Sequence, residues 1–456
     1  MFFKEFLEGI TDPILFAVCI FLLLGSIYIT IKMRFIQIQL IPFLYKKLKM
    51  SISKGRTVEK EHTISPSKAL FTAMSTTLGI STLVGPVIAI QLGGPGALLG
   101  FLLTSFFGSA ATYVEVCLSV HYRKKQEDGR IMGGPMQYLK EIFSAKMAKW
   151  YALCCMILMM GWSAAQANQL AAVLDSPALG SFRIPVIYSG LALVLLVVLA
   201  LRGGVKRIGS FSAKLVPVMF LLYIGSSLWI IALNLDQMGF VLSTMWKAAF
   251  SPYALATGSL VGGLVSAVRW GIFKGVQVTE SGVGTQTIPH SMAETTDPRS
   301  QGSLAMLSTF SAGGVAFLSG CVALITNTWQ DPSLSIGIGV VVASYQQYFS
   351  VAGVFIVAIS AVLFGLGTIL GNGFNGSQCY GYLSHNKKNG IYLFGTALMV
   401  FLGAIGEVKT VWSMVDILMA LIAVPHMAAL LFSVHKTPEL FRSKKETVVD
   451  AVVDTV

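Results

Sequence analysis

Thr76-Thr77-Leu78-Gly79-Ile80-Ser81-Thr82-Leu83-Val84-Gly85-Pro86 is a hydrophobic stretch that cannot stay helical throughout. It lies inside an apolar segment from about Ala69 to Leu92, long enough to span a bilayer. Glycine weakens a helix, and proline also removes a backbone donor. In lipid every unpaired amide or carbonyl is costly, so a break at mid-depth makes sense where the freed groups bind something. Half-helix N-termini hold anions, and unwound carbonyls hold cations. The stretch therefore reads as half of a binding site. The competing reading is a kinked helix whose small residues pack against a neighbour.

Composition points the same way. Of 456 residues, 54% are hydrophobic and only 12% are charged. That balance defines an all-α polytopic membrane protein and excludes an ordinary soluble enzyme. The net charge of +12 could indicate nucleic acid, but Lys and Arg sit between apolar spans, where the positive-inside rule puts them. Six cysteines (Cys19, Cys117, Cys154, Cys155, Cys321 and Cys379) are scattered, with neither metal spacing nor a disulfide framework. The first apolar run follows Asp12-Pro13 and is too long for a signal-peptide core, so it reads as a retained span.

Eleven apolar stretches cover 13–33, 69–92, 97–120, 148–174, 184–201, 213–234, 258–285, 303–326, 350–371, 390–405 and 410–434. The segment 327–349 reads as an external loop with a short helix. With the N-terminus outside and spans alternating, 26 Lys and Arg fall in inside segments. Four (Lys4, Arg183, Lys247 and Lys409) fall outside. This predicts an N-out, C-in protein. The polar tail 435–456 reads as a loosely ordered cytoplasmic end.

A second interrupted span follows five spans after the first, at Arg269-Trp270-Gly271-Ile272-Phe273-Lys274-Gly275-Val276-Gln277-Val278-Thr279-Glu280-Ser281-Gly282-Val283-Gly284. Setting aside 13–33 as an extra N-terminal helix, the breaks fall in the first and sixth of ten spans. The single transporter domain, 1–434, then divides into five-helix repeats over 69–234 and 258–434. Five is odd, so the second repeat enters the membrane inverted. Matched breaks in two halves point to a midplane site in a secondary transporter.

From about residue 65 to 434 the chain also carries an ordered set of motifs. These are Gly93-Gly94-Pro95-Gly96-Ala97, Tyr113-Val114-Glu115, Val120-His121-Tyr122-Arg123, Gly133-Gly134-Pro135-Met136 and Gln166-Ala167-Asn168, followed by Lys214-Leu215-Val216-Pro217, Thr279-Glu280-Ser281-Gly282 with His290 and Gln301-Gly302, and Thr368-Ile369-Leu370-Gly371. The set resembles the alanine or glycine:cation symporter family. The resemblance implies a LeuT-type 5+5 inverted repeat with one extra N-terminal helix, and sodium-driven uptake of a small neutral amino acid. Five positions in three motifs depart from the family's usual pattern. Ser81-Thr82 stands where a Gly-Asn pair is usual, and Thr279 replaces an Asn. In the ninth span Gly367 and Asn372 replace a Ser and a Trp.

The candidate substrate contacts follow. At the first break they are Thr76, Thr77, Gly79, Ile80, Ser81 and Thr82, where amide donors at a half-helix start suit a carboxylate. At the second they are Phe273, Gly275, Val276, Gln277 and Thr279, where carbonyls suit an ammonium group. Gln166 is a buried amide in a span and needs partners. Asn372 is included because the resemblance puts a pocket-wall Trp at its position; Asn there favours a roomier or more polar ligand. By resemblance, Ser75, Leu78, Phe364, Gly367 and Thr368 map onto the fold's common Na+ site. Asn168 reads as an interhelical hydrogen bond. Glu115 and Glu280 read as members of ion pairs or gates with Arg123, Arg269 or Lys274.

No metal ligands beyond Na+, nucleophile elbow or phosphate loop is visible, and no cofactor is expected. The sequence thus predicts a multi-pass cell-membrane symporter whose partners are a small amino acid, Na+ and the lipid bilayer. The alternative is a proton-coupled or uncoupled transporter of another zwitterion. The oligomeric state stays open, a monomer included. A membrane-embedded enzyme would need clustered His, Asp or Ser at mid-membrane, and a nutrient sensor a soluble output domain.

Overall fold

The computed structural model describes residues 2–39, 63–127, 129–201, 204–250, 262–385 and 389–441. The polar tail beyond 441, most of the basic loop 40–62 and the start of the interrupted span at 258 lie outside the described residues. Among the described residues the fold is helical apart from one small hairpin, Lys124–Lys125 against Ile131–Met132, and an isolated bridge between Ile64 and Ala293.

The long helices are α1 (Phe2–Lys32), α3 (Pro66–Thr77), α4 (Ile80–Gly93), α5 (Ala97–His121), α7 (Ala145–Leu174), α8 (Val186–Leu201) and α9 (Gly204–Met219), followed by α11 (Leu235–Phe250), α12 (Gly262–Thr279), α14 (Pro298–Thr326), α15 (Ile338–Phe349), α16 (Val351–Ser384), α17 (Gly390–Ile405) and α18 (Val408–Lys436). Short elements are α2 (Ile36–Gln39), α6 (Pro135–Ile142), α10 (Gly225–Leu233) and α13 (Thr287–Ser291). A π-helical turn, Phe220–Ile224, joins α9 to α10. Among the described residues seven helices are long and apolar enough to cross a membrane, or eight if α3 and α4 form one bent span.

The ends follow local chemistry. Ser65 caps α3, its hydroxyl accepting from Lys68 N, with Pro66 in the first turn where its missing N–H costs nothing. Asp297 and Pro298 start α14 in the same way. His385 takes the left-handed conformation that ends α16.

Glycines set the closest crossings. α5 and α12 meet at Gly100 and Gly271, where a Cβ on Gly271 would lie 2.1 Å from the Ala97 carbonyl oxygen. α5 also packs on α14, and α7 lies between α16, α17 and α18. Outward faces carry Leu191 and Leu195 on α8 and Ile391 and Phe394 on α17, all exposed, as a lipid-facing band requires.

Three boundaries differ from the sequence reading. The span expected over 350–371 runs to Ser384, because Gly371 and Gly376 are close-approach points to Thr76 and Tyr392 rather than helix ends. The stretch 235–250, left between spans, forms α11. The second interruption, read from the sequence over 269–284, narrows to 280–286, since α12 stays helical to Thr279. Gly275 is a packing glycine: a Cβ there would lie 2.9 Å from Cβ of Thr104 on α5.

Candidate functional site

The axes of α3 and α4 differ by 41° at the first break. Leu78 leaves helical geometry (φ −87°, ψ 71°) and Gly79 is extended. α4 therefore starts inside the protein with no side-chain cap from Gly79. Part of the capping comes from another helix: Ile80 N donates to Oε1 of Gln166 on α7 at 2.7 Å. Nε2 of Gln166 reaches Ser81 Oγ at 3.4 Å, and Thr82 N donates to the Gly79 carbonyl at 3.0 Å. A Cβ on Gly79 would lie 2.8 Å from both Gln166 Oε1 and Thr368 Oγ1. α7 and α16 thus converge on the break, and only a residue without a side chain fits there.

The second break is a tight loop between α12 and α13. Glu280, Gly282 and Gly284 all have positive φ (51°, 74° and 94°). Its carbonyls are largely taken by protein donors. Thr279 O accepts from Gln286 Nε2 at 2.6 Å, Val283 O from Tyr151 OH at 2.8 Å and Thr285 O from Asn375 Nδ2 at 3.2 Å. Gly282 O accepts from His426 Nδ1 at 2.7 Å, and Gly284 O from Thr287 Oγ1 at 2.6 Å. Further up, Gly275 O accepts from Thr279 Oγ1 at 2.8 Å and Val276 O from Glu280 N at 2.8 Å. In this arrangement the carbonyls of Gly275, Val276 and Thr279, read from the sequence as part of an ammonium site, are already paired.

The two breaks face one small polar cavity lined by Thr76, Ser81, Trp162, Gln166, Gln277, Glu280, Thr368 and Asn372. The space open to the centre of a water molecule is about 10 Å³, so the arrangement is closed around its site. Six residues named from the sequence line it: Thr76, Ser81, Gln166, Gln277, Thr368 and Asn372. Others fall elsewhere. Thr77 bonds Ser308 at 3.1 Å, Thr82 donates to Thr77 O at 3.0 Å, and Thr279 pairs with Gly275 O and Ser281. Phe273 and Val276 are buried in apolar packing. Asn372 is fully buried, with neither Oδ1 nor Nδ2 hydrogen-bonded.

Around the residues mapped onto a Na+ site, Thr368 Oγ1 donates to the Ser75 carbonyl at 2.9 Å. Gly367 packs against Ser75, a Cβ there lying 3.6 Å from Ser75 Cβ. Phe364 instead stacks edge-on against Tyr223. Ser212 of α9, not read from the sequence, places its hydroxyl 2.9 Å from Ser75 Oγ.

The charged groups correct the sequence reading. Arg123 donates to the carbonyls of Ser291 and Ala293, each at 2.7 Å, and to that of Thr295, tying α5 to the segment after α13. Lys274 lies 3.6 Å from Asp416 on α18, with Gln277 hydrogen-bonded to both. The side chain of Arg269 lies outside the described residues. Glu280 accepts from Thr285 and lines the cavity, and among the described residues it closes no ion pair. Asn168 bonds the Gly403 and Gly406 carbonyls at 2.8 Å, the interhelical role expected of it. Trp162 and Asp416 were missed. An acid inside an apolar span was a usable signal for Asp416; nothing set Trp162 apart from core aromatics.

A bundle of apolar helices with two interruptions facing one buried polar cavity is a multi-pass membrane transporter, not an enzyme. Residues 1–448 match the profile of the sodium:alanine symporter family, and the chain belongs to that family, placing it in the cell membrane. It is 32% identical to an uncharacterized transporter of Haemophilus influenzae, over 94% of each chain. It is 30% identical to the sodium/alanine symporter AgcS of Methanococcus maripaludis, over 90% of each. Among solved structures, an Eremococcus coleocola manganese transporter shares the fold, with a TM-score of 0.54 at 13% identity, covering 87% of this chain and 86% of that one.

Proposed function

We propose that the protein is a secondary active transporter that couples Na+ entry to symport of a small neutral amino acid such as alanine or glycine, by alternating access. The observation that carries this reading is the buried start of α4, capped only in part by Gln166, beside Ser81 in the shared cavity. Helix-terminal amides there suit a carboxylate. Glu280 and Gln277, across the same cavity, suit the ammonium group that the paired carbonyls leave unmet. Ser75, Gly367 and Thr368 supply a carbonyl and hydroxyl environment for Na+, with Leu78 at the unwound turn and Ser212 adding a further hydroxyl. The supporting frame is the 5+5 inverted repeat with an N-out, C-in orientation. In it, ion binding favours one arrangement of the breaks, and substrate plus ion together permit the swing.

Uptake of labelled alanine, glycine and serine into proteoliposomes tests the reading. Accumulation that collapses without a Na+ gradient is the expected result. Uptake driven only by a proton gradient would sink the sodium assignment, and no uptake of any amino acid would sink the substrate class.

A second reading rests on Asn372. A buried amide with neither group paired wants a ligand offering both a donor and an acceptor. It favours a zwitterion with a polar side chain over alanine. Asn372→Trp should narrow selectivity toward the smallest substrates, measured as the ratio of glycine to serine uptake. An unchanged ratio would remove Asn372 from the pocket.

A further inference from the structure

A second polar cluster lies beside the second break, away from the residues given a substrate role except Glu280. At its centre is Glu115 of α5, with no solvent exposure and no hydrogen bond to either carboxyl oxygen. The amides of Gly282 and Gly284 face it without closing a bond of good geometry. From α18, His426 Nδ1 lies 4.0 Å from Glu115 Oε2. That nitrogen, however, is 2.7 Å from the Gly282 carbonyl, which can only accept, so it carries the hydrogen. Nε2 then accepts from the Tyr138 hydroxyl of α6. A neutral imidazole satisfies both contacts. From α7, Tyr151 spends its hydroxyl on Val283 O, beside Cys155; Cys379 of α16 lies behind it. α1 presents Leu22 to this region. On the α14 side, Asp297 and Arg299 act on Tyr113 and Cys117. The remaining titratable group facing Glu115 is Glu280, another carboxyl.

Two buried carboxyls thus act on each other across this region, with a neutral His on its α18 side. An ionised pair without a countercharge is among the costliest arrangements a protein interior can hold. Among the described residues no three His, Cys, Asp or Glu side chains are placed to hold a metal ion together. Amides rather than carbonyls face Glu115, which disfavours a cation there.

We propose that Glu115 is a proton-binding site, carrying the one proton of the Glu115–Glu280 pair while the second break is closed. Glu280, its oxygen accepting from Thr285, stays the anionic member toward the cavity. The proton leaves to water, and the carboxylate becomes solvated, when the 280–286 loop moves off α5. Opening at this face is thereby linked to proton exchange, which Na+ binding at Thr368 does not require.

Infrared difference spectra of the purified protein between acidic and alkaline pH test this without any assumption about substrate. The carbonyl stretch of a protonated, buried carboxyl should appear in the wild type and in Glu280→Gln. It should vanish in Glu115→Gln. Glu115→Asp keeps a carboxyl and should shift the band rather than delete it, which guards against a Gln variant that fails to fold. A band that survives in Glu115→Gln would overturn the proposal, as would one abolished by Na+ at constant pH, since the site would then bind a cation. In proteoliposomes, alanine counterflow by the wild type should depend on pH across the same titration, and Glu115→Gln should flatten that dependence. An unchanged profile in that variant would also overturn it. If no amino acid is transported at all, the symport reading fails while the infrared result still decides the proton site.

Discussion

Gly79 shows what one residue does at this site. Its φ of −97° is open to any side chain; the constraint is space. Oxygens of Gln166 and Thr368 converge 2.8 Å from where its Cβ would be, and both belong to side chains already committed, to Ile80 N and to the Ser75 carbonyl. A methyl group there must push one away and break a buried hydrogen bond, at about 1–3 kcal/mol. Gly79→Ala should therefore fold and reach the membrane, yet lose at least about tenfold in uptake, since 1.4 kcal/mol is a factor of ten. Wild-type uptake by Gly79→Ala would show that the break does not bind substrate as proposed. Gly79 and Gly275 were read alike from the sequence; in the fold Gly79 lies at the unwound turn and Gly275 packs against Thr104. A glycine that lets a backbone unwind and one that lets two helices touch look alike in a string, and the difference lies in Thr104, far away in the chain. Asn372 was found through its departure from a family pattern; its unpaired amide was not legible, because no sequence shows which donors a fold brings near.

At the scale of elements, the two interruptions are built differently. The first is a gap of two residues between halves bent by 41°, and its signal, Gly79 followed by Pro86, was readable in the string. The second is a loop held by side chains from α7, α16 and α18, and its place could not be read because those partners lie 90 to 144 residues away. Gly284 is its tightest point. Its φ is 94°, and a Cβ would lie 2.6 Å from Pro135 and 2.7 Å from both His426 Nε2 and Tyr151 OH. Gly284→Ala combines a disfavoured backbone with a clash into α6, α7 and α18, a cost of about 1–3 kcal/mol for the backbone alone. The thermal midpoint of the detergent-solubilised protein should fall by several degrees. The Gly225→Ala variant, where a Cβ meets nothing within 4 Å, should leave it unchanged. Equal midpoints for the two variants would mean that the loop around Gly284 is not held as described. The same loop carries the carbonyl bonded to His426 and the amides facing Glu115, so its integrity and the proposed proton site should be lost together.

For the whole molecule, hydropathy and charge were enough to give a multi-pass helical protein, because both answer to the bilayer rather than to particular contacts. Orientation rests on the charge count alone, and it decides which side each cavity serves. A larger cavity, about 250 Å³, lies between Arg130, Met292, Phe374, Gln378 and Asn389. α16 joins it to the central one: Thr368 and Asn372 line the first, Phe374 and Gln378 the second. With the N-terminus outside, as proposed, this larger space faces the cytoplasm, and Phe374, 4% exposed, lines it two residues beyond Asn372 on α16. The orientation can be tested with few complications, because all six native cysteines are buried and give little background labelling. Ser335, exposed in the loop before α15, should be reached as Ser335→Cys by a membrane-impermeant maleimide on intact cells. Glu127, exposed beside the small hairpin, should be labelled as Glu127→Cys only after the membrane is permeabilised. The opposite pattern would turn the protein over, make the larger cavity an external vestibule and place the Glu115 cluster toward the outer face, so that protons would enter with the open outer gate rather than leave at the inner one.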